Sequence, residues 1–497
     1  MTPQQAADRV PATACDPRTA TPDSVTLDGR SLTIAQVTAL ARGIARPVVD
    51  AAARARLVEA GRVGRAIAAR RPVYGYTTGV GANRTTVVPE RATEDFGMRL
   101  LRSHSGGIGP LVPDEQVRAM LAVRLNQLLA GGSAVSAAVV DRLAQALTTG
   151  HLPRIHSLGS IGTGDLSALA ELGLTLAGEL PWHGGSGPAP AALRLTRWDA
   201  LPLISSGALT VGQAALAADD LHRLLDRVPL VAALTLTAVR GSTEPYAAHV
   251  HARRAHPGAQ HVAARMRALL GAADRQPALV QDPFGLRCLP QVHGTALEAL
   301  DSLRKVLRVE LNAALENPLL DPVAQEYHHH GGFHFARLAL ALDQLRLALL
   351  STAELSTARL AMLVEPAYTS LPPFLAEKED GSSGVMIIEY AAQSALAELR
   401  GAAQPVTLGH AVISRGAEEH ASFASTAARR LLESAEHFRL VLACELLAAV
   451  RALRMRGVLR PGSGELRDFY RRALAQLDPA IGDRALSADV EAAAGLL

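Results

Sequence analysis

Residues 159–166 read Gly159-Ser160-Ile161-Gly162-Thr163-Gly164-Asp165-Leu166 and lead into a helical run over 167–177. The fold class turns on this segment. A glycine-rich turn before a helix is one way to hold phosphate, because glycine permits tight backbone geometry and a helix N-terminus attracts anions. That reading would make the chain an α/β nucleotide-binding protein. It needs a strand ahead of the turn, but 151–158 contains Pro153 and is only weakly strand-like. The Gly-Lys-Ser/Thr ending of a phosphate loop is also missing. A plain helix-capping turn is the simplest alternative, and it places the segment between helices.

The flanking sequence is predominantly helical. Residues 35–72 and 113–148 are rich in Ala, Leu, Arg and Val with helical period, and Thr33-Ile34-Ala35-Gln36 is a capping-box pattern. Between them, 73–89 is rich in Gly and Thr and reads as a long mobile loop. Ahead of the first helix, Val25–Leu27, Asp28-Gly29 and a second short run read as a small hairpin. Beyond about residue 200 long helical patterns follow one another. The apolar stripes Leu300, Leu303, Leu307, Leu311; Leu338, Leu342, Leu345, Leu349; and Leu431, Phe438, Leu442 have the spacing of buried bundle seams. The expected class is all-α. Three parts are expected: a flexible arm over 1–23, an N-terminal part over 24–200, and a helical bundle over 201–497. Helices this long and Ala/Leu-rich often pack between subunits, so an oligomer is expected.

Composition narrows the function. The 497 residues carry a net charge of +3, and the basic residues are Arg apart from Lys305 and Lys378, dispersed and not in runs. That is no nucleic-acid footprint. Cys15, Cys288 and Cys444 lie far apart, which suits a reducing cytosol. The first 23 residues lack the apolar stretch of a signal peptide. No apolar run looks able to span a bilayer; even 336–363 is broken by Arg337, Asp343, Arg346, Glu354 and Arg359. Tyr327-His328-His329-His330 and His249-x-His251 lack partners at metal-ligand spacing and read as loop histidines, so no metal is expected.

The segment 159–166 resembles the signature of the aromatic amino acid ammonia-lyases, in which Gly-Ser-x-Gly-Ala-Ser-Gly-Asp-Leu cyclises its Ala-Ser-Gly into a methylidene-imidazolone electrophile (MIO). Here the segment is one residue short, and Gly162-Thr163-Gly164 matches the cyclising triplet. Flanking glycines would ease ring closure. A Thr-derived ring would carry an extra methyl on its electrophilic carbon. The likeness extends along the chain. Val73-Tyr74-Gly75-Tyr76-Thr77-Thr78-Gly79-Val80-Gly81 resembles the loop whose Tyr removes the substrate's β-proton, which implies Tyr74 as base. Its phenol needs nearby positive charge or donated hydrogen bonds for that task. Ser103-His104 resembles the selectivity pair of histidine ammonia-lyases, which implies that His104 meets a polar ring.

Gln281-Asp282-Pro283-Phe284-Gly285-Leu286-Arg287-Cys288 resembles Gln-Asp-Pro-Tyr-Ser-Leu-Arg-Cys, which implies that Arg287 forks onto the substrate carboxylate. Phe284 has lost the hydroxyl of that Tyr. Ser206 stands for an Asn beside the ring, Gly332 for an Asn next to Phe333, and Ala417 for a Gln next to Glu418, whose family counterpart meets the substrate amine or imidazole. Glu316-Asn317-Pro318-Leu319 and Ser382-Ser383-Gly384-Val385-Met386-Ile387 match further family segments.

The losses gather around the prosthetic ring, while Tyr74, His104, Arg287 and Glu418 are kept. The resemblance implies a bundle of the ammonia-lyase and fumarase–aspartase type, with a smaller N-terminal part carrying active-site loops. It also implies a homotetramer whose sites draw on several subunits, and an amino acid or related carboxylate as substrate. Three functions stay open. Gly162-Thr163-Gly164 still cyclises and the chain is an ammonia-lyase or aminomutase; or it runs an MIO-free elimination, isomerisation or cyclisation in specialised metabolism; or it is a non-catalytic binding homologue. The second is preferred. It needs a better leaving group or a more acidic proton than a simple amino acid offers.

Overall fold

The computed structural model describes residues 23–89, 93–271, 276–377 and 381–497. The N-terminal arm expected over 1–23 lies outside them except for Asp23, as do Cys15 and Lys378.

The capping box forms as read: Thr33 accepts from the Gln36 backbone N–H at 3.3 Å and Gln36 Oε1 accepts from that of Thr33 at 2.9 Å. It opens the helix Ile34–Ala41, and Asp50 caps the next, Ala51–Ala68, through the Ala53 N–H at 2.7 Å. The hairpin reading is corrected. Strand Ser24–Leu27 pairs in parallel with Arg46–Val49, beyond the first helix. Asp28-Gly29 does turn the chain, but into that helix. Gly29 has φ +79°, and a Cβ there would lie 2.4 Å from the Ala130 nitrogen, so the turn is pressed against Asp114–Leu129, the next long helix but one. The parallel pairing interrupts the helical period read over 35–72, and 113–148 likewise splits into Asp114–Leu129 and Ala137–Thr149. The stretch 151–158 holds two short strands, His151–Pro153 and His156–Leu158, in separate two-stranded sheets, so no parallel sheet precedes the glycine-rich segment.

The bundle is the all-α body expected. Its long members are Ala208–Ala238, Leu289–Glu310, Ala336–Val364, Met386–Ala402 and Ala424–Met455, each packed against at least one other. The Leu and Phe stripes picked out by spacing are buried. One apolar cluster joins these helices to Asp114–Leu129 and Leu166–Leu176, so residues on both sides of position 200 share a core. Two helical stretches, Arg197–Ala238 and Ala336–Val364, are long and apolar enough to cross a membrane, which corrects the reading that no run was. Three of the charges that interrupt the second are buried in protein, Asp343 paired with Arg346 and Arg359 with Glu445, while Arg337 and Glu354 are exposed. Glu445 also accepts from Thr235 Oγ1 at 2.7 Å and Ser356 Oγ at 2.6 Å, so every lone-pair direction of this buried carboxylate is engaged.

Candidate active site

Three loops meet at the end of the bundle. The first is 73–89. Thr77 Oγ1 accepts from the Val73 N–H at 2.7 Å, Thr78 bridges Val87, and the turn Gly81–Asn83 closes the loop. The Tyr74 ring stands edge-on to His329, with centroids 6.3 Å apart, and its hydroxyl accepts from the Gly81 N–H at 2.7 Å.

The second loop is the glycine-rich segment. It hangs from the start of the Ala424–Met455 helix. Ser422 Oγ donates to the Gly162 carbonyl at 2.9 Å, Ser425 Oγ to the Ser160 carbonyl at 2.9 Å, and the Phe423 N–H to the Ile161 carbonyl at 2.8 Å. Within it, Ser160 Oγ donates to the Gly164 carbonyl at 3.0 Å. Gly162 has φ +88°, and a Cβ there would lie 2.1 Å from Ser422 Oγ. The Ala that opens the family's cyclising triplet does not fit this loop. Behind it, buried Asp165 accepts from Thr210 N–H and Oγ1, each at 2.8 Å, which joins the Leu166–Leu176 helix to the long Ala208–Ala238 helix. Burial raises the Asp165 carboxyl above the usual range against those donated bonds.

The third loop, 413–418, folds on itself through an Ile413–Glu418 bridge. Its Ser414 Oγ accepts from the Ala82 N–H at 3.2 Å, fastening it to the first loop. The loops enclose a cavity of about 890 Å³ lined by Tyr74, Thr163, Ser206, Phe333 and Glu418, among others. Inside, Thr163 Oγ1 donates to Glu418 Oε2 at 3.1 Å. An adjoining cavity of about 490 Å³ shares Tyr74 and Glu418 and reaches His104. The His104 Nδ1 is already engaged with the Leu100 carbonyl at 2.8 Å, leaving Nε2 as its free ring nitrogen.

Most of the sequence-predicted residues therefore converge: Tyr74, Thr163, Ser206, Phe333 and Glu418 on one cavity, and His104 beside it. Two details differ from expectation. Ser206 is 1% exposed, and its hydroxyl turns away to Gln127 Oε1 at 2.6 Å. Phe284 and Arg287 do not line the cavity. Their side chains stack on each other, guanidinium 4.5 Å from the ring centroid, and Phe284 is 62% exposed. The Ser382–Gly384 segment is also elsewhere, wrapped around the Asp483 carboxylate by three contacts of 2.8 Å.

Sequence reasoning missed Arg84, Asn317, His329 and His330, which all line the cavity. The two histidines, which read from the sequence as loop residues, are held in place by the backbone. His329 Nε2 accepts from the Tyr74 N–H at 3.3 Å, and His330 Nε2 meets the Glu316 carbonyl at 2.8 Å. Glu316 is itself fixed by a buried pair with Arg124, Nη2–Oε1 2.8 Å. That pairing across the fold has no signal in local spacing. Among the described residues no three His, Cys, Asp or Glu side chains are grouped to hold a metal ion.

Among the described residues the cavity is lined by one carboxylate (Glu418), one guanidinium (Arg84) and a phenol (Tyr74). Burial raises Tyr74 above its ordinary range and the Glu418 charge adds to this, while the Gly81 N–H and Arg84 oppose it. His329 is pushed down by burial and by Arg71, which favours its neutral, accepting form. The site can thus bind a small polar molecule, place a cation on Glu418, and offer an oxygen base to a carbon acid.

The pattern of the family described as "Aromatic amino acid lyase" matches residues 32–475. A histidine ammonia-lyase of Anaeromyxobacter sp. (strain K) is 34% identical over 505 aligned positions, covering 96% of this chain and 98% of that protein. Tyrosine aminomutase from Streptomyces globisporus superposes with a TM-score of 0.89 at 29% identity, covering 95% of this chain and 96% of that one. Ergothionase, an ergothioneine-degrading enzyme of Treponema denticola solved with desmethyl-ergothioneine sulfonic acid, gives 0.88 at 27% identity and covers 95% and 98%.

Proposed function

The chain belongs to the aromatic amino acid lyase family and is a carbon–nitrogen lyase, and from that premise we propose that it acts on a histidine-like or aromatic α-substituted carboxylate without an MIO electrophile. The observation that carries this reading is the sequence of the loop itself, which is one residue shorter than the family's cyclising signature and has Thr163 where that signature has Ser. In the unmodified chain the Thr163 hydroxyl donates to Glu418 Oε2 at 3.1 Å, so without cyclisation it can orient that carboxylate. The replacements around it point the same way: Phe284, Ser206, Gly332 and Ala417 stand where the family has polar ring-side residues.

In the proposed reaction Tyr74 takes the β-proton, a double bond forms between the α and β carbons, and the α-substituent departs with its bonding electrons. Glu418 receives the cationic part of the substrate. His104, reached through the adjoining cavity, reads the ring, and Phe333 packs against it. With no covalent electrophile to activate a plain amine, the leaving group must be better than ammonia or the β-proton more acidic. Resemblance to an enzyme that degrades ergothioneine as well as to amino acid lyases and mutases is in keeping with a diverged leaving group.

Arg287 enters this scheme from another copy of the chain. It lies outside its own chain's cavity, next to exposed Phe284, and the bundle leaves Leu340, Leu347, Ile387 and Tyr390 exposed on its helices. A homotetramer that covers such faces and completes each cavity with a partner's Arg287 is the assembly we propose.

A second reading has one observation in its favour. The Ser422 hydroxyl polarises the Gly162 carbonyl, the atom that ring closure attacks. Weighing the intact purified protein separates the two. An unmodified mass supports the open-chain reading. A deficit of two waters on the peptide holding Gly162-Thr163-Gly164 overturns it and makes the chain an MIO-dependent lyase or aminomutase.

A further inference from the structure

A tyrosine in a pocket that also holds a carboxylate is a poor base unless something stabilises its anion. Arg84 is placed for this. The turn Gly81–Asn83 carries it back over the loop, so its backbone N–H reaches the Gly81 carbonyl at 3.2 Å and its Nη1 approaches the same oxygen at 3.4 Å. The N–H of that same Gly81 donates to the Tyr74 hydroxyl at 2.7 Å. One glycine thus presents its N–H to the phenol oxygen and its carbonyl to the guanidinium. Arg84 has no carboxylate within ion-pair distance among the described residues, and it lines the same cavity as Tyr74, Thr163 and Glu418. Among the described residues no carboxylate is paired with its charge.

We propose that Arg84 is the positioning residue of the base: its guanidinium holds the Gly81 turn against the Tyr74 hydroxyl and stabilises the phenolate formed there. The inference rests on Tyr74 being the base. Several other groups face Tyr74. Glu418 from the third loop opposes the phenolate. His329, edge-on to the ring, is favoured neutral and adds little charge. Thr163 spends its proton on Glu418. Arg99 and His104, from the Thr93–His104 helix, line only the adjoining cavity. When a substrate cation sits on Glu418, the opposing charge is neutralised and Arg84 remains as the nearest uncompensated charge of the first loop.

The test needs no substrate. Fluorotyrosine is placed at position 74 alone in the full chain, and its phenol is titrated by fluorine NMR in the otherwise native protein, in Arg84→Gln and in Arg84→Lys. Arg84→Gln is expected to raise the midpoint by roughly half to one pH unit, a solvent-screened fraction of what an opposite charge gives at close range. Arg84→Lys is expected to restore most of the difference, and added salt to shrink it. A midpoint unmoved or lowered in Arg84→Gln overturns the proposal. Separately, a Tyr74→Phe variant with undiminished turnover would remove Tyr74 as base while leaving the titration result intact, so the two failures are distinguishable.

Discussion

Thr163 and Glu418, 255 residues apart, meet through one hydrogen bond of 3.1 Å, and both line the cavity of about 890 Å³. Removing the hydroxyl while keeping the shape isolates its role. Thr163→Val is expected to leave the enzyme active with KM raised about tenfold, the loss of one hydrogen bond to a charged group, and Thr163→Ser to retain near-native values. Steady-state kinetics, with histidine as the first substrate tried, measure this. Complete loss of turnover in Thr163→Val would instead mark the hydroxyl as a source of covalent chemistry.

Tyr74→Phe is expected to abolish turnover while the fold survives. The ring still packs against His329, and only the Gly81 N–H loses its acceptor, at about 0.5–1.5 kcal/mol. Activity and thermal melting on the same sample check both halves.

Gly162→Ala forces a Cβ to 2.1 Å from Ser422 Oγ at a φ of +88°. The melting temperature is expected to fall by the equivalent of about 2 kcal/mol. Adding Ser422→Ala should recover only part of this, because the Phe423 and Ala424 nitrogens also stand 2.9 Å from the added carbon. Full recovery would show that the backbone there accommodates a side chain.

Arg359→Met leaves Glu445 buried with two hydroxyl donors and no cation. Breaking a pair so buried costs about 3–5 kcal/mol, and a marked drop in melting temperature is the expected result. Arg359 Nη1 also donates to the Gly285 carbonyl at 3.1 Å. The variant should therefore loosen the Phe284–Arg287 turn, read as faster hydrogen exchange at its amides.

Burial pushes the Glu310 carboxyl up to about 7, above its ordinary value near 4.5. A carboxyl raised in the folded state binds a proton there that the unfolded chain has already released. Its contribution is full below about pH 4.5 and is lost as pH rises through 7. Glu310→Gln is expected to flatten that decline and to stabilise the protein more at pH 8 than at pH 5, as followed by denaturant unfolding across pH. An equal effect at both values would mean that the carboxyl does not titrate in this window.

The bundle could be read from the sequence because a buried helix face repeats every three or four residues, and Leu300, Leu338 and Leu431 with their companions lie where that period puts them. Turns with local chemistry were equally legible, as the Thr33 box shows. The parallel partner of Ser24–Leu27 was not, since strand pairing depends on what lies across a helix and not on neighbours in sequence. The site divides in the same way. Tyr74, Thr163, Phe333 and Glu418 could be found because each sits in a segment with a recognisable pattern. Arg84, His329 and His330 reach the cavity through turns whose end-points are set by distant contacts such as Arg124–Glu316. Arg287 lies in a segment with an equally recognisable pattern, yet it does not line its own chain's cavity.

The suspension of 159–164 from Ser422, Phe423 and Ser425 also has a consequence for biosynthesis. The loop bearing Thr163 leaves the ribosome some 260 residues before its anchors do. Until those anchors arrive, Gly162, with no side chain and a left-handed backbone, has nothing to hold it in that conformation. The wall of the cavity that bears Thr163 is therefore a late product of folding. A chain truncated before residue 422 lacks the hooks on which this loop hangs.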